Sequence, residues 1–423
     1  DSLAIFDFAT GETNALSQVT DLKVRDISFV SDRYLLLLVS RTMRRFGVVD
    51  QWEQSAAFSF DLQEGDVVKL LQRTDGLYPY QSGLGRVVGV HPDGDRVFMP
   101  AFMGENNNQA YLGLLAVRLD NGRGFEIPGI RGRHDTIDWI ISPKGEPLAR
   151  EDLNGRPPEH EIWSYARGSA KEIYSDESAI AGISLIGSLS EDELLTIDSS
   201  DTGYSALYSM SATTGETQGP ILNRNDADIG GVITDINRRA LGVRYTGMRP
   251  TYDMFDPDLT AAIKTVQDAL PQSSIWLDSW SSDHSKLLFF VEGGEIPERY
   301  VVLDRTSGAV QTIINARPQF TSADIGESVE MHYFARDDLK IPGVLTWPAG
   351  STEADRRGDR RGHWPALEPR APRDRRRRRR LGAPSEGLSG AGGSASGASC
   401  ASVHHCATSG SSSPVSARRQ KKS

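Results

Sequence analysis

One turn signature recurs along the first 350 residues and constrains the fold more than any other feature. An apolar stretch leads into a short polar turn that ends at a glycine, and a second extended stretch follows. Glycine suits this position because a tight hairpin needs a residue that adopts positive φ at little cost. The glycines are spaced by 54, 57, 46, 47 and 93 residues, and the last spacing is close to two periods. They are Gly11, Gly65, Gly122, Gly168, Gly215 and Gly308.

With the skipped period counted, this spacing predicts seven hairpins about 50 residues apart, the length of one four-stranded propeller blade. Residues 91–94, 142–145 and 281–284 are further short turns, which we expect to join the first and second strands of a blade. The chain is therefore predicted to be all-β, a seven-bladed β-propeller, with six to eight blades compatible with the pattern. A β-sandwich or an unrelated repeat is the alternative.

The skipped period has a helical pattern. Asp256 and Pro257 suit the N-cap and the first helical position, and Pro271 suits a stop. The apolar residues between them have helical spacing and are Leu259, Ile263, Val266 and Leu270. We predict one inserted helix near residues 257–270, which packs against the blades or, alternatively, contacts a neighbouring domain.

The composition changes sharply after residue 350. Residues 1–350 carry 31 basic and 51 acidic side chains, whereas residues 351–423 carry 16 basic and 6 acidic ones. Trp364 is the only aromatic residue of the second segment, which cannot bury enough apolar surface to offset the entropy of an ordered chain. We predict a β-propeller over residues 1–328, one further hairpin over residues 329–350, and a disordered, basic, low-complexity tail after it.

Charge and composition also limit the partners. The acidic body argues against nucleic acid, and the arginine run at 375–380 has no interleaved aromatic residue for base stacking. No apolar run approaches the roughly 18 residues of a membrane-spanning helix. Both cysteines, Cys400 and Cys406, lie in the tail, so no disulfide is predicted in the body and the compartment stays open. The chain starts at Asp1 within a strand pattern, and we expect an incomplete or processed N-terminus, which favours a periplasmic or secreted protein.

Several polar clusters contain metal-binding or acid–base side chains, but none is predicted to be a site. Residues 400–406 lack a Cys-x-x-Cys pair, and residues 223–228 lack the glycine and closing glutamate of a calcium loop. The Arg-His-Asp sequence at 133–135 has no accompanying nucleophile, and we expect His134 in a turn or on the blade surface. Residues 104–108 form a long polar loop that could face a substrate. No catalytic, cofactor-binding or metal-binding residue is assigned.

Residues 333–348 carry the most specific motif of the chain, Tyr-Phe-Ala-Arg-Asp-Asp-Leu-Lys-Ile-Pro-Gly-Val-Leu-Thr-Trp-Pro. This stretch resembles the first hairpin of the hydrolase domain in serine peptidases of the prolyl oligopeptidase family, especially the acylaminoacyl-peptidase and dipeptidyl aminopeptidase-like branch. Asp338 stands where that family usually has glycine. The resemblance is firm over residues 276–348 and diffuse before them, and it implies that residues 329–350 begin a hydrolase domain.

The catalytic motifs of that family are missing from these 423 residues. The family continues with a His-Gly-Gly-Pro loop and a Gly-x-Ser-x-Gly elbow that exposes the nucleophile. Residues 182–186 and 387–391 come nearest to the elbow, and both lack its second glycine. The Arg, Ala, Gly, Pro and Ser bias of the tail is typical of GC-rich DNA translated out of frame, so we hypothesise a frameshift near residues 355–361. A natural basic tail is the alternative.

The resemblance implies a parent serine peptidase that hydrolyses short or acylated peptides, with the propeller as a cap that admits only small or flexible ones. We predict that this chain supplies the cap and hydrolyses no amide or ester bond. Short peptides are expected as partners of the intact parent enzyme, and no cofactor is expected. A non-enzymatic, periplasmic protein-interaction propeller is the alternative class. The hairpin at 333–348 argues against it, because a self-standing propeller has no use for that extension.

Overall fold

Six antiparallel meanders, the blades of a β-propeller, follow one another along the described part of the chain. The computed structural model describes residues 2–351 except 9, 19–21, 45–50, 106–109, 178–180, 199–202 and 295. The predicted all-β propeller is confirmed, but the predicted number of seven blades is wrong. Five of the sheets have the full four-strand path, and one has three strands.

The elements lie in chain order. A first hairpin contains β1 (Ser2–Phe6) and β2 (Thr13–Gln18). Blade 1 contains β3 (Lys23–Phe29), β4 (Tyr34–Arg44), β5 (Gln51–Asp61) and β6 (Val67–Lys69), with β7 (Gly83–Leu84) added to β5. Blade 2 contains β8 (Gly89–Val90), β9 (Arg96–Met103), β10 (Tyr111–Arg118) and β11 (Gly124–Glu126). Blade 3 contains β12 (Thr136–Ile141), β13 (Pro147–Gly155), β14 (Pro158–Ser164) and β15 (Lys171–Asp176).

The second half follows the same plan. Blade 4 contains β16 (Ser184–Ser188), β17 (Glu193–Asp198), β18 (Ala206–Ser211) and β19 (Thr217–Leu222). Blade 5 contains β20 (Ile229–Thr234), β21 (Ala240–Tyr245) and β22 (Thr251–Met254), followed by α1 (Pro257–Ala269). Blade 6 contains β23 (Ser274–Trp280), β24 (Lys286–Glu292), β25 (Arg299–Asp304) and β26 (Ala309–Asn315). A short 3₁₀ helix (Ser322–Asp324) leads to a last hairpin of β27 (Ser328–Phe334) and β28 (Lys340–Thr346).

The miscount of blades comes from the first hairpin. Its turn has the chemistry of a blade turn: the Gly11 N–H donates to Asp7 O at 2.8 Å, as the Gly65 N–H does to Asp61 O. Both glycines have positive φ, 72° and 80°. However, β1 and β2 form a two-stranded sheet, which packs on blade 1 through Leu3. The turn signature at Gly11 therefore belongs to a two-stranded hairpin and not to a four-stranded blade.

Blade 5 explains the skipped period. Its three strands are followed by α1, which confirms the predicted helix. The Asp256 side chain caps the helix by accepting a hydrogen bond from the Asp258 N–H at 2.9 Å. The predicted apolar stripe, through Leu259, Ile263 and Val266, is buried in the shared core of blades 5 and 6. The apolar face of α1 therefore packs against the blades of the propeller.

The direction of the strands divides the loops between two faces of the propeller. The turns at 91–94, 142–145 and 281–284 join first and second strands, as predicted, and define one face, here called the turn face. Because consecutive strands are antiparallel, the loops between second and third strands and the links between blades lie on the opposite, link face. The chain leaves β26 at the link face, where the hairpin β27–β28 follows.

The last hairpin places its apolar side chains mainly on one surface. In register, Val329 faces Leu345 and Tyr333 faces Ile341, so these four side chains and Met331 share a face. Tyr333 is 51% exposed and Met331 is 40% exposed. A two-stranded hairpin has no second layer of its own, so this apolar face is only partly covered in the described residues.

Candidate functional site

The turn between β20 and β21, residues 235–239, crosses the axis of the propeller. Asn237 Oδ1 accepts a hydrogen bond from the Val90 N–H in blade 2 at 2.7 Å. Arg238 Nε donates to Ile186 O in blade 4 at 2.8 Å. A turn of blade 5 can reach blade 2, on the opposite side of the ring, only by lying across the centre. The turn therefore obstructs the central channel at the turn face.

An ion-pair chain continues from this turn along the channel. Asp138, on the innermost strand of blade 3, accepts from Arg238 Nη1 through Oδ2 at 2.6 Å and from Arg86 Nη2 through Oδ1 at 2.5 Å. Burial of Asp138 opposes its ionisation, but the charges of Arg238 and Arg86 outweigh burial and hold its pKa below the ordinary value. Arg86 precedes β8 at the link face. The ion pairs of Arg238, Asp138 and Arg86 therefore extend from the turn face to the link face.

In the part of the chain that the structure describes, five of the six innermost strands carry a β-bulge where they line this channel. A bulge inserts one extra residue and re-aims the neighbouring side chains. The extra residues are Arg25, Ile137, Ile186, Gly230 and Asp278. Burial, with a smaller contribution from the charge of Asp26, raises the pKa of Asp278 to about 6. The channel wall therefore contains a carboxyl group with a pKa of about 6.

A concavity of about 780 Å³ opens on the link face beside Arg86, between blades 1, 2 and 3. Three aromatic side chains lie around it, and Tyr80 among them is 83% exposed. Arg86 and His134 lie at its edge, and none of the described residues that line it is acidic. The lining residues are Tyr78, Tyr80, Gln81, Ser82, Gly83, Arg86, Pro100, Ala101, Phe102, Ala110, Leu112 and His134.

The concavity exists because β8 is short. This strand pairs only with residues 97 and 98 of β9. Residues 99–103 of β9 therefore do not pair with β8 on the side nearer the propeller axis. The link from blade 1 takes that place, and the Tyr78 N–H donates to Phe102 O at 2.8 Å. The Gln81 amide acts as a substitute backbone: its Nε2 donates to Phe102 O at 2.9 Å, and its Oε1 accepts from the Phe102 N–H at 2.8 Å. The aromatic link is thereby fixed to a strand.

Blade 3 contains a buried network of charged side chains. Arg150 Nη2 donates to Asp152 Oδ2 at 2.7 Å, and His160 Nε2 lies 2.8 Å from Glu151 Oε1. Burial raises the pKa of Asp152 above its ordinary value despite the charge of Arg150. The His160–Glu151 contact joins β14 to β13, and Arg150 Nη1 also donates to Arg131 O in the link before the blade.

The side chains of the Arg-His-Asp sequence at 133–135 lie in different environments. The His134 side chain is 75% exposed in a turn before β12, which confirms the surface position predicted for it. Arg133 Nη1 instead donates to Glu161 Oε2 at 2.5 Å, and Arg133 Nη2 donates to Asp135 Oδ2 at 3.2 Å. His134 Nδ1 lies 4.0 Å from Asp135 Oδ1, beyond hydrogen-bond distance.

The other sequence candidates have structural roles or lie outside the described residues. Ser184 begins β16, an innermost strand, and not a strand-to-helix elbow. In the loop 223–228, Asp228 Oδ1 accepts from the Ser205 N–H, and Arg224 pairs with Asp253 at 2.9 Å. Of the loop 104–108, only its first two residues are described. The arginine run, both cysteines, residues 387–391 and the hypothesised frameshift position lie outside the described part of the chain.

Sequence reasoning missed Arg86, Asp138 and Arg238, because these partners lie 52 and 100 residues apart. It also missed the aromatic concavity, for which a signal was present. Tyr78 and Tyr80 flank Pro79 in a link rather than in a strand. Aromatic side chains in a surface link indicate a binding surface, because binding residues lie disproportionately on loops.

No known protein family matches this sequence, and no curated protein is significantly similar to it. Among solved structures, a puromycin-hydrolyzing peptidase of Mycobacterium tuberculosis matches 77% of this chain at 12% identity, with a TM-score of 0.48 over 58% of its own length. Prolyl oligopeptidase B of Galerina marginata matches 80% at 10% identity, with a TM-score of 0.49 over 49% of its length. A putative TolB of Agrobacterium tumefaciens matches 82% at 11% identity, with a TM-score of 0.32 over 98% of its length.

The chain thus spans about half the length of these two peptidases. Among the described residues, no helix combines the length and the apolar character required to cross a membrane.

Proposed function

We propose that this chain is the propeller portion of a serine peptidase of the prolyl oligopeptidase type, acting on short or acylated peptides. Its role is to restrict which peptides reach a catalytic domain at the link face. The 423-residue chain itself contains no Gly-x-Ser-x-Gly sequence and is proposed to be catalytically inactive. The tail from residue 351 is proposed to come from a shifted reading frame.

The observation that carries this proposal is the hairpin β27–β28. It follows blade 6 at the link face and contains the motif at 333–348. Its apolar face, with Tyr333 and Met331 half exposed, has the character of the first two strands of a larger sheet. A further domain packed against this face would lie at the link face, the face on which the concavity opens.

The obstructed channel supports a particular route for the peptide. The turn at 235–239 and the ion pairs of Asp138 close the axis toward the turn face. In this proposal, peptides reach the catalytic domain from the link face or from the gap between the two domains, and not through the propeller. The propeller excludes large substrates because its link-face loops narrow that gap.

The proposal predicts that the purified 423-residue chain does not hydrolyse fluorogenic aminoacyl or acyl-peptide substrates above the rate of buffer. The nucleophile and its activating groups are missing from the sequence, so no acyl-enzyme can form. The measurement is the release of fluorophore with and without a serine-reactive fluorophosphonate. Turnover that the fluorophosphonate abolishes would contradict the proposed inactivity.

Limited proteolysis with affinity capture separates this proposal from a free-standing interaction propeller. A peptidase portion is expected to lose the hairpin β27–β28 early while residues 22–315 resist, because the hairpin face lacks its covering layer. It is also expected to self-associate through that face. A chain that resists cleavage throughout and retains one defined protein partner would favour the interaction propeller.

A further inference from the structure

We infer that the concavity between blades 1, 2 and 3 binds the C-terminal carboxylate of a short peptide that ends in an aromatic residue. This inference rests on the proposed function and names the part of the peptide that the propeller recognises. Its support comes from the charge, the rings and the rigidity of the concavity.

Charge selects an anionic group. Arg86 uses one N–H on Asp138 and another on Ile137 O, at 3.1 Å, among the described residues. A guanidinium has five such donors, so Arg86 retains capacity for a carboxylate. Asp138 is already shared between Arg86 and Arg238, which leaves a net positive charge in this group. With Arg86 at its edge and no acidic side chain among its described lining residues, the concavity favours an anion.

The rings select an aromatic side chain. Tyr78 and Tyr80 lie edge to face, with their centroids 5.7 Å apart, and Phe102 is 36% exposed on the neighbouring strand. Exposed rings in a concave surface gain contact area when another ring covers them. The volume of about 780 Å³ exceeds that of one amino acid and lies in the range of small-ligand sites. A tripeptide with an aromatic C-terminal residue fits these requirements.

The concavity is also organised before any ligand binds. Gln81 ties the aromatic link to both backbone groups of Phe102, and Asp138 fixes the Arg86 guanidinium with a 2.5 Å hydrogen bond. A site held in this way loses little conformational entropy on binding. The recognition of the carboxylate therefore depends on a long-range contact that reaches the axial turn through Arg238.

Calorimetric titration of the full chain at pH 7.5 tests this inference with acetyl-Ala-Ala-Phe and its C-terminal amide. The free acid is expected to bind at least tenfold more tightly than the amide. Acetyl-Ala-Ala-Ala is expected to bind more weakly than acetyl-Ala-Ala-Phe, because it cannot cover the rings. Equal affinity for acid and amide, or no binding of either peptide, would overturn the inference.

Variants assign the effect to residues. Arg86→Met is expected to reduce binding of the acid to the level of the amide, and Arg86→Lys to retain part of the preference. Tyr80→Ala is expected to weaken both peptides by a similar factor, and its 83% exposure makes an effect on folding small. Arg131→Met is the matched control, because this arginine lies over the Tyr111 ring and outside the lining. An Arg131→Met loss equal to that of Arg86→Met would contradict the assignment.

This experiment separates the inference from the proposed function. Binding of the acid without hydrolysis supports both. Absence of the acid preference overturns the carboxylate site. It does not bear on the proposed origin of the chain from a serine peptidase, which the nucleotide sequence tests. Hydrolysis of a peptide would overturn the proposed inactivity, while the preference between acid and amide would still decide the site.

Discussion

Replacing Arg238 with methionine is expected to lower the free energy of unfolding by about 3 kcal/mol, because a buried carboxylate loses one of its two cationic partners. Asp138 would keep only Arg86, and Ile186 O would lose its donor. Methionine retains most of the apolar stem of arginine, so the loss reports the guanidinium. Urea unfolding followed by tryptophan fluorescence measures it.

The adjacent arginine provides the control. Arg239 has an exposed side chain, and Arg239→Met is expected to change the free energy of unfolding by no more than about 0.5 kcal/mol. Gly187→Ala approaches the same contact from blade 4, since an added Cβ would lie 2.1 Å from Arg238 O. Its effect should not simply add to that of Arg238→Met, because the added Cβ displaces the backbone that positions the Arg238 side chain. Equal effects of Arg238→Met and Arg239→Met would show that the Arg238 contacts do not stabilise the propeller.

The variant Asp278→Asn is expected to be more stable than the parent chain at pH 7.5, by up to about 3 kcal/mol. Burial raises the pKa of Asp278 to about 6 from the ordinary value of 3.8. Below pH 3.8 the carboxyl is protonated in both states and contributes nothing. Between pH 3.8 and 6 only the unfolded state ionises, so stability falls as pH rises, and the loss is complete above pH 6. Unfolding at pH 4 and at pH 7.5 measures the difference.

Another aspartate of blade 6 supplies a control with the opposite sign. The hydroxyl of Ser281 and the N–H of Ser285 hold the pKa of the exposed Asp283 below its ordinary value. Its stabilisation is present above the unfolded-state pKa and is lost as pH falls through the folded-state pKa. Asp283→Asn should therefore be less stable than the parent at pH 7.5, with a smaller deficit in acid. Parallel pH profiles for the two asparagine variants would contradict the environment described for Asp278.

The parts of the fold that depend on local chemistry could be predicted from the sequence. A positive-φ glycine marks each of the six hairpins for which the sequence names one, and the Asp256 cap and apolar stripe mark α1. The number of blades depends on more than local chemistry. The turn ending at Gly11 is the same as the one ending at Gly65, yet only the second belongs to a complete blade. A turn signature reports a hairpin and not the strands that accompany it.

The candidate site could be predicted only in small part. The bulges that re-aim the channel side chains have no clear sequence signature, because each is a shift in register between two strands. The contact of Arg238 with Asp138 joins blades 5 and 3, which local periodicity cannot relate. The concavity depends on the shortness of β8 and on the Gln81 side chain replacing a strand. The aromatic residues of the link were the one visible signal.

The nucleotide sequence through codons 345–423 tests the central claim most directly. If this propeller belongs to a serine peptidase, one of the two other reading frames is expected to encode an apolar strand, a His-Gly-Gly-Pro loop and a Gly-x-Ser-x-Gly elbow downstream of residue 350. If neither frame encodes these motifs, the tail is not a shifted frame and the peptidase assignment is contradicted.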